Sequence, residues 1–248
     1  MGAPGLYLGT SGWAYGHWRD VFYADVRPAD RLRHYAAHFP TVEVNYSFYH
    51  LPRPATYAAW HDQTPEGFVF AVKASRAITH LRRLRGVEGL WANFLEGAAR
   101  LQEKLGPLLL QFPPGFAADS GNLAALEAFL AAAGAHPLAL EFRHAGWCRP
   151  EVYDLLRARG AAWVVADSPR YPKAEEVTAD FVYVRLHGSR EMFGSCYTDA
   201  ELAHWAAKIR AWRGAGRTVY VYFNNDAAGF AVTNARELAA LLAGQDGS

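Results

Sequence analysis

The sequence predicts an α/β fold, a single (β/α)8 barrel of the TIM type, from three observations. Short apolar runs rich in β-formers recur eight times along the 248 residues, and helical patterns separate most of them. The turn after the first run reads Gly9-Thr10-Ser11-Gly12-Trp13. It lacks the glycine-rich phosphate loop with which an open, doubly wound sheet normally begins.

In chain order, strands are expected over residues 6–11, 41–45, 68–73, 108–111, 138–142, 162–167, 181–187 and 218–224. Helices are expected over 29–38, 55–62, 90–104, 123–133, 151–159, 199–213 and 235–242. Pro150 takes a first-turn position with Glu151 behind it, and Thr198 can cap with Glu201 three residues on. Gly160 and Gly214 follow helix ends. One unit is irregular. Residues 168–180, between strands six and seven, carry Pro169 and Pro172 and leave room for at most one short helix. No linker or internal repeat divides the chain, so one domain is expected over 1–248.

A hydrophobic fraction of 51% supplies a sizeable core and excludes a disordered chain. A net charge of +1 provides no global field to steer the protein toward nucleic acid or an acidic membrane. No stretch approaches the roughly 18–20 apolar residues of a membrane span. The opening Met1-Gly2-Ala3-Pro4-Gly5 does not read as a signal peptide. Cys148 and Cys196 form no CxxC pair. The expectation is a cytoplasmic protein with no membrane partner.

Side chains alternate along a strand, so in a closed barrel one set packs under the helices and the other faces the axis. In the seventh strand Val182, Val184 and Leu186 form the apolar set, which turns Tyr183, Arg185 and His187 inward. The same reasoning turns inward Ser11, Glu43, Asn45, Ala71, Lys73, Leu109, Gln111, Ala139 and Glu141. It does so too for Val165, Asp167, Tyr220, Tyr222 and Asn224. The polar members gather at the C-terminal strand ends, where barrel enzymes build their sites. Three acids, Glu43, Glu141 and Asp167, would face Lys73, Arg185 and Arg143 in a nearly neutral, charge-paired mouth.

The first loop (Trp13, Tyr15, His17, Trp18) and the second (Tyr46, Phe48, Tyr49, His50) put rings beside that mouth, suited to stacking on a sugar, a base or a cation. The third loop carries Arg76, His80, Arg82, Arg83 and Arg85; Arg76 and Lys73, nearest the strand end, are the better anion ligands. Glu141 would act as a general base, Arg143 as an anion clamp and His144 as a proton shuttle. Asn224, Asn225 and Asp226 would bind hydroxyl groups.

No cofactor is implied. A divalent metal on Glu43, Glu141, Asp167, His187 and Asp226 is a minor alternative, because Lys73, Arg143 and Arg185 compete for the same carboxylates. Lys73 admits two readings. A desolvated amine would form Schiff bases; an ammonium held by Glu43 or Glu141 is favoured, since lysines in charged linings usually find a carboxylate.

The segments GTSGWAYGHWRDVFY, EVNYSFY from Glu43, FVFAVKASRAITH from Phe68, LLLQFPP from Leu108, EFRHAGW from Glu141, DSP from Asp167, YVRLHG from Tyr183 and VYVYFNND from Val219 together resemble the YecE-like family, domain of unknown function seventy-two. The blocks run from the first strand to the last in order, which makes the resemblance specific. It implies a TIM-type barrel and assigns no activity. Its recurring blocks fall on Glu43, Asn45, Lys73, Arg76, Gln111, Glu141, Arg143, His144, Asp167, Arg185, His187, Asn224, Asn225 and Asp226. Ser47 stands where the family pattern has threonine, and the hydroxyl is retained.

The leading functional expectation is an enzyme acting on a small polar anion, such as a sugar phosphate, by acid–base chemistry. Glu43, Glu141 or Asp167 would move protons with His187 assisting, while Lys73, Arg143 and Arg185 stabilise charge. The alternatives are a nucleic-acid-binding or endonuclease-like barrel, drawn from the aromatic and basic loops, and a non-catalytic ligand-binding barrel.

Overall fold

The structure is a computed structural model and describes residues 5–244; the remaining terminal residues of the expected domain lie outside the described residues. The chain begins with β1 (Leu6–Thr10), α1 (Arg31–Ala36), β2 (Thr41–Val44), the short α2 (Tyr46–Tyr49), α3 (Pro54–Gln63) and β3 (Val69–Lys73). It continues with α4 (Glu88–Ala98), β4 (Leu105–Gln111), α5 (Ser120–Ala132), β5 (Leu138–Glu141), α6 (Pro150–Ala158) and β6 (Ala162–Asp167). β7 (Phe181–Leu186), α7 (Asp199–Gly214), β8 (Thr218–Phe223) and α8 (Phe230–Ala243) complete it. All strand pairs are parallel, in the order β1-β8-β7-β6-β5-β4-β3-β2.

The ring is closed where β1 meets β2. Ser11 bridges Glu43, and the Gly12 amide donates to the Glu43 carbonyl at 2.8 Å. Gly9 makes that approach feasible: a Cβ there would lie 2.2 Å from the Thr41 carbonyl oxygen and 2.8 Å from the Tyr35 hydroxyl. That hydroxyl accepts from the Thr10 amide at 2.9 Å and donates to the Thr41 carbonyl at 3.1 Å, tying α1 to both strands.

Strand alternation sorts the core into two shells. Val42, Phe70, Leu110, Leu140, Val184 and Val221 pack outward against the helices, whereas Ala71, Leu109, Ala139, Tyr183 and Tyr222 fill the axis. Complete burial of one such large side chain contributes roughly 1.5–3 kcal/mol, so the outer shell supplies most of the driving force. Face-stacked Phe116, Phe112, Phe142 and Trp147 bind the ends of β4 and β5 together, with centroids 4.6–5.1 Å apart. The Trp147 indole donates to the Phe116 carbonyl at 2.6 Å, which fixes the loop that carries Arg143.

The expected inward parity is found on every strand but β6. There Ala162, Val164 and Ala166 face the axis, and Trp163 and Val165 join the outer shell. The register explains this, because Ala166 lies beside Arg185 and Val164 beside Tyr183, where only small side chains fit between large neighbours. Val165 and Asp167 therefore point away from the axis.

Residues 168–180 form no helix. They cover β6 directly, with the Trp163 indole donating to the Ala174 carbonyl and the Thr178 hydroxyl to the Ala161 carbonyl. The helix expected over 90–104 is divided. α4 ends at Ala98, and a 3-10 segment, Ala99–Lys104, follows with Gln102 at φ 51°. The capping box at Thr198 and Glu201 is present, and Gly160 ends α6 at φ 60°. Gly214 is still helical; Gly216, at φ 79°, takes the left-handed position after α7.

Candidate active site

At the C-terminal strand ends, Arg185 reaches across the barrel and gathers both buried acids. Its Nε and Nη2 donate to Glu43 Oε2 and Oε1 at 2.9 and 2.7 Å, and Nη1 donates to Glu141 Oε2. Glu43 also accepts from Ser11 Oγ at 2.6 Å and the Tyr183 hydroxyl at 2.8 Å. Glu141 Oε1 accepts from Arg143 Nε at 3.0 Å. Arg185, Glu43 and Glu141 are each no more than 1% exposed.

Burial alone would raise both carboxyls. The Arg185 guanidinium and the hydrogen bonds to Glu43 outweigh it and hold that group below the usual carboxylate range. For Glu141, Arg185, Arg143 and His187 outweigh burial, and the carboxyl lies well below that range. Both acids are committed anions and poor proton acceptors.

His187 is fully buried beside them. The Asn224 amide approaches Nδ1 at 3.0 Å, and Nε2 faces Glu141 Oε1 at 3.3 Å, a close contact without good hydrogen-bond alignment. Burial lowers its proton affinity against the pull of Glu141. A neutral ring that accepts at Nδ1 and carries its proton on Nε2 satisfies both contacts.

Above this network opens a cavity of about 580 Å³, walled by Tyr15, Asn45, Phe48, Tyr49, Lys73, Arg76, His80, Gln111, Arg143, Arg185, Phe193 and Asn224. The wall contains four cationic side chains, Lys73, Arg76, Arg143 and Arg185, and no aspartate or glutamate; Glu43 and Glu141 lie in the layer beneath, on Arg185 and Arg143. The expected charge pairing is found for Arg185 and Arg143, which hold Glu43 and Glu141, and is corrected for Asp167 and Lys73; Lys73 and Arg76 are the wall cations with no carboxylate within 4.0 Å among the described residues. Asn45 Oδ1 is buried in this wall with no hydrogen-bond partner among the described residues.

Lys73 differs from its favoured reading. No carboxylate lies within 4.0 Å of its Nζ among the described residues; the amine donates to Gln111 Oε1 at 3.0 Å and sits 4.0 Å from the Phe48 ring centroid. Burial, then Arg185, lowers its pKa to about 7, against the smaller opposing pull of Glu43 and Glu141. His80 is lowered to about 4 by burial and by Lys73, Arg143 and Arg76.

Other expected members lie elsewhere. Asp167 accepts from the Tyr197 hydroxyl at 2.9 Å and pairs with Lys173 at 2.7 Å, behind the barrel wall. Asn225 is wholly buried, its amide donating to the Ser195 carbonyl and Asn234 Oδ1. Asp226 accepts from the Trp18 indole at 2.6 Å and pairs with His17 at 2.9 Å, which anchors the first loop. His144 Nδ1 accepts from the Gly146 amide and caps the short turn Ala145–Trp147. With Asp167 and Asp226 outside the mouth, the five residues weighed as a metal set do not converge.

Trp13 lies in a side groove of about 300 Å³, where its ring meets Trp60 edge-on. The groove shares Tyr15, Asn45 and Tyr49 with the main cavity. Sequence reasoning put Phe48 among the rings beside the mouth and His80 in the basic third loop without giving either a role, and it did not name Phe193. His80 returns over the mouth on a π-helical turn, Ala77–Leu81, and Phe193 reaches it from the loop after β7 at φ 63°.

Eight parallel strands with a cation-walled cavity at their C-terminal ends define a TIM-type barrel whose loops build the site. The chain belongs to the family described as Protein of unknown function DUF72, whose model matches residues 7–247. It is 27% identical to the UPF0759 protein YunF of Bacillus subtilis, across 96% of this chain and 94% of the relative. It is 31% identical to the UPF0759 protein YecE of Escherichia coli K12, across 84% and 82%. A DUF72 family crystal structure from Thermotoga maritima superimposes with a TM-score of 0.88 at 30% identity, covering 96% of this chain and 99% of that one. One from Enterococcus faecalis, 24% identical, shares the fold with a TM-score of 0.85 over 96% and 95%.

Proposed function

We propose that the protein is an enzyme that binds a small polar anion, phosphorylated or carboxylated, in the barrel mouth and transforms it by acid–base chemistry. The observation that carries this reading is the cavity wall itself, with Lys73, Arg76, Arg143 and Arg185 on its surface and no acid among its members. Arginine offers a planar fork to an oxyanion, and Arg76 has no carboxylate within 4.0 Å among the described residues.

Proton transfer falls to a different group from the one the sequence favoured. Glu43 and Glu141 are locked on Arg185, whereas Lys73, at about 7, exchanges protons near neutrality. The aromatic side groove suits a ring or sugar face attached to the anion. No helix among the described residues is long and apolar enough to cross a membrane, and a small metabolite of the cytoplasm is the substrate class we favour. Of the third-loop arginines only Arg76 walls the cavity; Arg82, Arg83 and Arg85 are exposed outside it, which favours a small anion over a nucleic acid.

Thermal denaturation in inorganic phosphate tests the reading. A ligand at a hundredfold excess over Kd stabilises the native state by about 2.7 kcal/mol. The wild type and Arg83→Ala should show a dose-dependent rise in Tm, and Arg76→Gln should show less. A rise that Arg76→Gln and Arg143→Gln both retain in full contradicts this placement.

A further inference from the structure

We propose that Lys73 is a carbonyl-trapping amine, which forms an imine with an aldehyde or ketone that bears a phosphate or carboxylate. The proposal rests on the anion-binding reading above and names the substrate class for that same cavity.

The chain holds four lysines, and the structure separates one from the rest. Lys104 spends its ammonium on the His61 carbonyl, the Thr64 carbonyl and the Thr64 hydroxyl at 2.6, 2.7 and 3.2 Å. Lys173 pairs with Asp167 at 2.7 Å and Lys208 with Glu175 at 2.5 Å. Lys73 alone, among the described residues, has neither a carboxylate within 4.0 Å nor a full set of acceptors. It is 8% exposed, and it belongs to the cavity wall.

One N–H of Lys73 is held by Gln111 Oε1, which orients the nitrogen and leaves a lone pair available in the neutral amine. The surroundings favour that neutral form. Burial and the cations Arg185 and Arg143 act against the ammonium, while Glu43 and Glu141 oppose them from beneath. His80, itself kept neutral near pH 7, adds no charge from the third loop. At its ordinary pKa of about 10.4, a lysine is roughly one part in a thousand unprotonated at pH 7.5. Lys73 is mostly free base there.

The chemistry balances without a further reactant. The lone pair attacks the carbonyl carbon; the C–N bond forms as the C=O π pair moves to oxygen. The two protons shed by nitrogen end on that oxygen, which leaves as water, and no oxidation state changes. Arg76 and Arg143, on the same wall, would hold the anionic end of the compound. The requirement for both groups explains why a lysine without a carboxylate partner shares its cavity with arginines.

Reductive trapping tests this on the full chain. The protein is incubated at pH 7.5 with sodium cyanoborohydride and glyceraldehyde 3-phosphate, pyruvate, or acetaldehyde as the uncharged control, then mapped by peptide mass spectrometry. A stable adduct on Lys73 from one of the anionic carbonyls, at least about tenfold above that on each other lysine and reduced by competing inorganic phosphate, is expected. Lys73→Arg should lose it, and Arg76→Gln, which keeps the lysine, should weaken it. Adducts spread evenly over the four lysines overturn the proposal. If inorganic phosphate still raises Tm in that case, the anion site stands and only the amine chemistry falls. Trapping of acetaldehyde at Lys73 with neither anionic probe trapped overturns the substrate class instead.

Discussion

Arg185 and Glu43 meet in a two-point ion pair at 2.7 and 2.9 Å, inside the barrel, on strands that are not neighbours in the sheet. With Nη1 on Glu141, the one guanidinium ties β7 to both β2 and β5. Truncating one partner of a buried pair leaves the other charge uncompensated, at a cost of about 3–5 kcal/mol. Arg185→Ala, which strands two carboxylates, should lower stability by at least that amount. Arg143→Ala, whose partner keeps Arg185, should cost much less. Urea denaturation of the two variants checks the order, and equal losses would contradict it.

The same network sets the acid response. Both carboxyls are held down in the native state, so their contribution is fully present above the ordinary carboxylate pKa near 4.5 and is lost as pH falls below it toward the native values. The urea midpoint should therefore drop steeply below about pH 4.5. Glu141→Gln should flatten the drop. A wild-type midpoint that is constant through that range would show that Arg185 does not bind the acids as ions.

Lys73 makes the opposite contribution. Its native pKa of about 7 lies below that of the unfolded chain, so the unfolded state binds more protons between roughly pH 7 and 10.4. Stability associated with this group rises with pH through that window. Lys73→Met should therefore raise stability at pH 7.5, on the order of 2 kcal/mol after the lost Gln111 contact is set against it. It should also abolish carbonyl trapping. A variant less stable than wild type at that pH contradicts the desolvation argument.

Gly9 tests the closure of the barrel. Its substitution by alanine would drive a methyl group into the Thr41 carbonyl, which is backbone and has little room to move. Overpacking typically costs about 1–3 kcal/mol, and a backbone clash belongs at the upper end. Gly67→Ala, where a Cβ meets nothing within 4 Å but φ is 78°, controls for backbone strain alone. Gly9→Ala should be the more damaging of the two in a thermal melt.

Much of this architecture was legible in the sequence because strand periodicity carries it. Tyr183, Arg185 and His187 alternate with three aliphatic residues, and the structure turns them inward as that alternation requires. β6 was misleading because, Asp167 apart, both of its faces are apolar and alternation does not choose between them. The size of Trp163 was the better signal, since an indole does not fit beside Arg185 and Tyr183. β4 starts at Leu105, ahead of the expected 108, although it runs through Gly106 and Pro107, residue types that weaken a strand pattern. Gly106 instead admits Val69, whose Cγ1 would lie 2.4 Å from a Cβ there. The assignments of Asn225 and Asp226 failed for a different reason. Their partners, Asn234, Trp18 and His17, are set by tertiary packing that no local pattern records. The pairing of Lys73 was likewise a matter of distance: Arg185 took both carboxylates first.

The proposed chemistry depends on Lys73 being an amine without a carboxylate partner in the barrel mouth, and its titration measures that directly. With four lysines in the chain, labelling lysine Cε with carbon-13 gives few enough resonances to follow each by NMR across pH, assigned by Lys73→Arg. The Lys73 resonance should show a midpoint at about 7. A Lys73 midpoint near the ordinary value of about 10.4 would contradict it.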